Sequence, residues 1–134
     1  MVLSAALPWV PPAAVAAAAA AFVTFVGVVD PNLPGHYPAC PFLALTGYSC
    51  PGCGSLRAIH ALAHGDVATA LARNPFAVVS AVWLTAVWVR WLSRRLTGRP
   101  APWLAPAWMI WVLLGAVVAF WVLRNLPGCA FLGP

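Results

Sequence analysis

Three long apolar segments constrain what this chain can fold into. They span approximately residues 10–29, 75–92 and 106–123. A helix needs about 20 residues to cross roughly 30 Å of hydrocarbon, so each segment is near the short end of the spanning range. The second and third segments open with proline, which is well tolerated in the first turn of a helix. The pattern therefore predicts three transmembrane helices.

The composition excludes an ordinary soluble domain. Hydrophobic residues make up 63% of the chain and charged residues 7%, whereas globular proteins average about 45–50% and about 25%. The few charges cannot cover a soluble surface, which needs roughly a quarter to a third of charged residues. We therefore expect an all-α integral membrane protein, with residues 1–134 forming one membrane domain and the lipid bilayer as its main partner.

The arginines predict the orientation of the chain. Four of the seven basic residues lie in or beside the polar segment 93–105, namely Arg90, Arg94, Arg95 and Arg99. Such a cluster next to an apolar segment is typical of a cytoplasmic loop and not of a nucleic-acid site. The N-terminus is then cytoplasmic, and residues 30–74 and the tail 124–134 are extracytoplasmic. The first segment has no preceding basic residue and begins with prolines, which favours a retained helix over a cleaved signal peptide.

Residues 30–74, here called the cap, separate the first two apolar segments. The stretch 35–54 is rich in proline and glycine and predicts an ordered loop. Two short helices are predicted at 55–64 and 67–73, the first stopped by Gly65 and the second N-capped by Asp66. Both are too short to span a bilayer, so we expect them to lie in its interface.

The cap carries a distinctive set of spaced motifs. In chain order they are Cys40-Pro-Phe, Thr46-Gly-Tyr, Cys50-Pro-Gly-Cys-Gly, Arg57-Ala, His64-Gly-Asp and Asn74-Pro75. This pattern resembles the bacterial membrane family called domain of unknown function 2752. The Asp30-Pro-Asn opening and the ending from Leu123 to Pro127 are also similar to that family. The resemblance implies a small multi-pass protein of the bacterial plasma membrane, and it implies no activity.

The cysteines point to three chemistries. Cys50 and Cys53 form a C-x-x-C motif just before a predicted helix, whose N-terminus would stabilise a redox-active thiolate. The same motif supplies two of the four ligands of a tetrahedral zinc site. Alternatively, one of the two cysteines forms a disulfide with Cys40 in an oxidising compartment. The fourth ligand of a metal would come from Cys129, His60, His64 or His36.

A polar stripe follows one face of the first short helix. It comprises Cys53, Arg57, His60 and His64, and the two histidines have the i, i+4 spacing of metal ligands. Cys53 and His60 would lie about 10 Å apart along a helix, which is long for one tetrahedral zinc. The geometry therefore favours a solvated polar face over a single metal site.

Two arginines on the outer side need partners. Arg57 and Arg124 are predicted first as structural clamps and second as anion-binding residues, because an isolated guanidinium near hydrocarbon is costly. The candidate partners of Arg57 are Asp30, Asp66, the C-terminal carboxylate and loop carbonyls.

These features predict a non-enzymatic accessory or scaffold subunit with a cap stapled by a disulfide or zinc. It would associate with a second copy or with a membrane-protein partner. One alternative is an envelope thiol–disulfide redox or metal-handling protein that uses Cys50 and Cys53. A second alternative is an oligomeric channel or transporter, although the apolar segments contain no acidic, lysine or histidine residue for an ion or proton pathway.

Overall fold

The computed structural model describes residues 9–99 and 107–132. Within these ranges the chain is helical and contains no strand, as the sequence predicts. The helices are α1 (Val10–Val28), α2 (Pro41–Thr46), α3 (Ser55–Ala63), α4 (Val67–Arg73), α5 (Pro75–Thr97) and α6 (Ala107–Arg124), followed by a 3-10 turn at Pro127–Leu132.

Two helices, α1 and α5, are long and apolar enough to cross a membrane, and α6 contains a shorter apolar stretch, Trp108–Arg124. Only 11% of the most apolar window of α1 and 6% of that of α5 are buried. The core helix of a soluble protein is mostly buried, so this exposure differs from what such a helix shows. The third span and the orientation stay predictions.

The core of the described chain lies where α3 packs against α1, α4 and α5. Its buried residues are small, namely Ala58, Ala61, Ala70 and Val78. Small side chains allow helix backbones to approach closely. The helices α1 and α3 approach each other closely, since a Cβ added at Gly27 would lie 3.2 Å from the Cβ of Ala63.

Local capping explains the boundaries of the cap helices. Asp66 begins α4 as its N-cap, with the Asp66 carboxylate accepting a hydrogen bond from the backbone N–H of Thr69 at 2.9 Å. Hydrogen bonds from Thr69 lower the pKa of this exposed carboxyl. Asn74 begins α5 in the same way, accepting from the N–H of Ala77 at 2.9 Å.

The structure corrects two predicted loops. The stretch 35–54 contains the short helix α2, which has Pro41 in its first turn and ends at Gly47 with a φ of 74°. The helix α5 continues to Thr97, whose hydroxyl donates to the carbonyl of Ser93 at 2.9 Å. The predicted loop 93–105 therefore begins inside a helix, and its residues 100–105 lie outside the described residues.

Aromatic contacts join the end of α6 to the rest of the molecule. The ring of Trp121 meets that of Phe42 edge-on, with centroids 5.7 Å apart. The ring of Phe120 stacks on that of Phe76 at 5.2 Å. Because Phe42 belongs to α2 and Phe76 to α5, these pairs bring the C-terminal end of α6 beside the cap.

Candidate metal centre

Three cysteines from two separate parts of the cap meet at one point. The Sγ atoms of Cys50 and Cys53 are 3.0 Å apart, and the Sγ atoms of Cys40 and Cys50 are 3.5 Å apart. All three sulfurs lie within 4.8 Å of one another. We call this group the three-cysteine cluster.

The spacing of the sulfurs suits a shared metal ion. Zinc–sulfur bonds of about 2.3 Å place the ligands of a tetrahedral site about 3.8 Å apart, which falls within the range spanned here. A disulfide requires a sulfur–sulfur distance of about 2.05 Å, and Cys40, Cys50, Cys53 and Cys129 are all free thiols. Soft thiolate ligands select zinc and copper(I) among biological metals.

Tight backbone turns position the sulfurs. The N–H of Cys53 donates to the carbonyl of Cys50 at 3.1 Å, which closes the turn that brings their side chains together. The N–H of Cys50 donates to the Sγ of Cys53 at 3.3 Å. Cys40 reaches the same point as the residue that precedes α2. Two separate segments of the cap therefore supply the ligands.

The thiols of the cluster differ in acidity. Burial of Cys53, only 8% exposed, raises its pKa to about 12, with further contributions from hydrogen bonds to Cys50 and Cys40. The backbone N–H of Leu43 lowers the pKa of Cys40, and hydrogen bonds with Cys53 and Cys50 lower it further. Without a metal, the Cys53 thiol is therefore neutral at physiological pH. A thiolate-stabilising environment therefore surrounds Cys40.

The predicted fourth ligands do not join the cluster. In the described ranges, no histidine nitrogen and no further sulfur lies in the same group of candidate ligand atoms. The excluded residues are His36, His60, His64 and Cys129.

The histidines bond to backbone carbonyls instead. His60 Nδ1 lies 2.9 Å from the carbonyl of Val26, and because a carbonyl only accepts, this nitrogen carries a proton. His64 bonds in the same way to the carbonyl of His60, and His36 to that of Asp30. The second ring nitrogen of His60 is 3.7 Å from the Asp30 carboxylate. The predicted stripe thus includes a histidine that joins α3 to α1.

Asn74 anchors one side of the C-x-x-C turn. Its side chain is fully buried, and its Nδ2 lies 3.0 Å from the carbonyl of Pro51, 3.1 Å from that of Cys53 and 3.1 Å from the Ser55 hydroxyl. Its Oδ1 caps α5 by accepting from the N–H of Ala77. One buried amide therefore fixes the turn directly to the beginning of α5.

The end of α6 anchors the other side of the turn. Arg124 Nη1 donates to the carbonyls of Cys50 at 2.9 Å and Pro51 at 3.2 Å. The neighbouring Asn125 amide accepts from the N–H of Ser49 and donates to its carbonyl, both at 2.9 Å. Three side chains from two helix ends thus hold residues 49–55, here called the cysteine turn.

Arg124 is a buried cation without a carboxylate partner in the described chain. Its side chain is 4% exposed, with its guanidinium carbon 5.1 Å from the ring centre of Phe120. Its Nε and Nη2 are buried, and neither has a hydrogen-bond partner among the described residues. The acidic residues of the sequence are Asp30 and Asp66, and no ion pair in the described ranges joins either to Arg124. A buried positive charge of this kind requires compensation.

A cavity of about 770 Å³ borders the cluster. The three cysteines form part of its wall, together with apolar residues that include Leu33 and Leu56, and Arg57 is the charged residue on the lining. The part of the chain that the structure describes contains no hydrogen bond or ion pair from the Arg57 guanidinium. Arg57 therefore faces the cavity, whereas Arg124 bonds to the turn.

The cysteines and Asn74 lie in a segment with a recognised family pattern. Residues 40–88 match the family described as protein of unknown function (DUF2752). The match confirms the resemblance indicated by the cysteine motif. No curated protein and no solved structure is similar to the chain.

The DUF2752 match begins at Cys40 and ends within α5. It therefore includes the three-cysteine cluster and Asn74 but neither α1 nor α6. The Asp30-Pro-Asn opening and the ending from Leu123 to Pro127, which resemble the same family, lie outside the matched residues. Arg124 and Asn125 accordingly hold the cysteine turn from outside the matched residues.

Two anchoring residues escaped the sequence reasoning. Asn74 appears in the sequence patterns only within the Asn74-Pro75 motif, although an N-cap asparagine before proline is a sign of a fixed local geometry. Asn125 lies 76 residues from its partner Ser49. No local pattern reports a contact at that separation.

Proposed function

We propose that this chain is a multi-pass membrane accessory or scaffold protein whose outer cap is stapled by a thiolate-bound metal of the zinc class. The observation that carries this proposal is the meeting of three cysteine sulfurs within 4.8 Å of one another. A single disulfide would use two of the three thiols and leave the third unpaired. One metal ion accepts all three.

Charge balance supports a metal in preference to three neutral thiols. Three thiolates and one divalent ion leave one net negative charge on the centre. Arg124 is buried against the cysteine turn and bonds to the carbonyl of Cys50. The single positive charge of Arg124 balances the single net negative charge of the metal–thiolate group. Because three neutral thiols would leave the guanidinium uncompensated, the metal-bound form explains why arginine occupies this position.

A metal would be a staple because its ligands come from separate segments. Cys40 precedes α2, whereas Cys50 and Cys53 precede α3. The cysteine turn is already fastened to α5 by Asn74 and to α6 by Arg124 and Asn125. Binding at the cluster would therefore fix α2 relative to the ends of the long helices. This is a structural role, consistent with a scaffold.

A membrane location is supported by the exposed apolar faces of the long helices. Large apolar side chains on α5 and α6 are half or more exposed, among them Val82, Leu84, Trp108 and Trp111. Lipid would cover such faces. The arginine cluster at the C-terminal end of α5 supports a cytoplasmic position for residues 93–105 and an outer position for the cap. We propose that the exposed apolar face of α6 binds a second copy of the chain or a membrane-protein partner.

Metal analysis and a free-thiol count on the full chain, purified in detergent without chelator, test the staple directly. We expect one zinc-class ion per chain and loss of that ion in Cys50→Ser. Cys129→Ser is the matched control, because Cys129 lies outside the cluster, and it should keep its metal. A metal-free protein with all four thiols free would refute the proposal.

Two other outcomes would each replace it. A metal-free protein in which two thiols are lost would indicate the disulfide form of the cap. A mixed disulfide trapped in Cys53→Ser would indicate the thiol–disulfide redox alternative.

A further inference from the structure

We infer that the cavity beside the three-cysteine cluster binds a small anionic thiol, one that carries both a thiolate and a carboxylate. The thiolate would take the fourth position on the metal and the carboxylate would pair with Arg57. This inference rests on the proposed metal centre. It adds a ligand-binding role to a site that would otherwise only fasten the cap.

The coordination of the metal would be incomplete without such a ligand. The described chain offers three sulfurs at this point and no fourth ligand atom. Structural zinc sites are closed by four protein ligands, whereas sites with three protein ligands keep a position for water or an incoming molecule. The cluster therefore has the ligand count of an exchangeable site.

The open side is accessible to a small molecule. The cavity that the sulfurs border has a volume of about 770 Å³, which is within the range of small-molecule pockets, roughly 300–1,000 Å³. Its lining is largely apolar and includes Leu33, Leu43 and Leu56. Such a wall accommodates the carbon skeleton of a ligand. The few polar groups of the wall bind the charged ends of the ligand and fix its orientation.

Charge identifies the ligand as an anion. The negative charge of a three-thiolate centre is matched by Arg124 on the buried side. A fourth, anionic donor brings further negative charge into the cavity. Arg57 is the charged residue of the lining, and in the described chain its guanidinium forms no ion pair. It is therefore available to a carboxylate, which it binds through two parallel hydrogen bonds.

Softness identifies the donor atom as sulfur. A thiolate-rich centre of the zinc class prefers a further soft ligand. The binding step is a ligand exchange: the metal–water bond breaks, the metal–sulfur bond forms, and the thiol proton passes to solvent. No atom is oxidised or reduced. The site then resembles a place where a metal is passed between thiolates, the metal-handling chemistry that the C-x-x-C motif suggests.

The test uses the full chain in detergent with cobalt(II) in place of zinc, because cobalt–thiolate absorption reports each bound sulfur. Mercaptoacetate is the anionic thiol probe, and mercaptoethanol and acetate are its neutral and sulfur-free counterparts. We expect mercaptoacetate to increase the sulfur-to-cobalt absorption to saturation, and acetate to leave it unchanged. Arg57→Gln should weaken the binding of mercaptoacetate about tenfold and the binding of mercaptoethanol less than twofold. Arg73→Gln, a substitution outside the cavity lining, is the matched control and should leave both affinities unchanged.

The outcomes separate the two proposals. If cobalt does not bind, the metal centre is refuted and this inference with it. If cobalt binds and its spectrum is indifferent to mercaptoacetate, the inference alone is overturned. Equal mercaptoacetate affinity in Arg57→Gln and the unmodified chain would also overturn it, provided that both give the same cobalt spectrum before the thiol is added.

Discussion

The acidities of Cys40 and Cys53 predict that metal-free, reduced protein reacts with an alkylating reagent in a fixed order. The reactive species is the thiolate. At pH 8 a thiol with a pKa of 9.0 is about one-tenth ionised, whereas one with a pKa of about 12 is ionised in about one molecule in ten thousand. Burial of Cys53 therefore reduces its thiolate population about a thousandfold.

A second effect offsets part of this difference. The nucleophilicity of a thiolate rises with its pKa, with a Brønsted coefficient of about 0.4–0.5. Because the pKa of Cys53 is about three units above that of an ordinary thiol, its thiolate is roughly 16- to 32-fold more nucleophilic than an ordinary one. The net expectation is that Cys53 reacts at least about 30-fold more slowly than an ordinary cysteine at pH 8. Cys40, whose pKa is lowered by the N–H of Leu43, should react earlier in the titration.

The measurement is the rate of first alkylation by iodoacetamide between pH 7 and 10.5, followed for each cysteine by mass spectrometry of its peptide. The protein is kept in detergent with a chelator and a non-thiol reductant. We expect the Cys40 rate to level off at a lower pH than that of an ordinary cysteine, because its pKa is lowered by the N–H of Leu43. The Cys53 rate should still rise about tenfold per pH unit at pH 10.5, because its raised pKa has not been reached.

Two results would refute this reasoning. The first is a Cys53 rate within threefold of the Cys40 rate at pH 8. The second is a Cys53 rate that is slow yet levels off near pH 10, as for a thiol with a pKa of 9.0, because that behaviour would reflect restricted access and not a raised pKa. Unchanged helical circular dichroism at each pH is the control for loss of fold.

Three further predictions concern the packing of α1 on α3 and two residues that hold the cluster. Asn74→Ala should lower the free energy of unfolding by about 2–4 kcal/mol, since it removes the cap of α5 and leaves the buried carbonyl of Cys53 without its donor; equal thermal unfolding of variant and unmodified chain in detergent would contradict this. Gly27→Leu should cost more than about 1–3 kcal/mol, because a Cβ there already lies 3.2 Å from that of Ala63, and a thermal unfolding midpoint equal to that of Gly27→Ala would count against close α1–α3 packing. Arg124→Leu should weaken metal binding about 10- to 100-fold, measured by competition with a chromogenic chelator, and Arg90→Leu, which lies far along α5, should leave it unchanged.

Much of the fold follows from local sequence patterns. Apolar length predicts the long helices, capping chemistry at Asp66 predicts where α4 begins, and the first-turn proline Pro75 predicts where α5 begins. The helix α2 was missed because its six residues lie in a stretch whose prolines and glycines are typical of loops. The predicted end of α5 is too early because the arginine-rich segment was assigned to a loop. Arginine is a good helix former, and α5 continues through it to Thr97.

The candidate site was predictable only in part. The C-x-x-C spacing alone brings Cys50 and Cys53 together, since both belong to one turn. Whether Cys40 joins them depends on how α2 packs, which the spacing of ten residues does not determine. The roles of Arg124 and Asn125 depend on contacts across more than 70 residues. The sequence identifies Arg124 as a residue that needs a partner, because an isolated guanidinium near hydrocarbon is costly. It does not show which carbonyls the guanidinium reaches.

The two hydrogen bonds between the Asn125 amide and the backbone of Ser49 couple the C-terminal end of α6 mechanically to the cysteine turn. Because the amide holds both the N–H and the carbonyl of one residue, α6 cannot slide or rotate at that end without dragging the turn or breaking both bonds at once. A change in the tilt of α6 would thereby be transmitted to the sulfurs of the three-cysteine cluster.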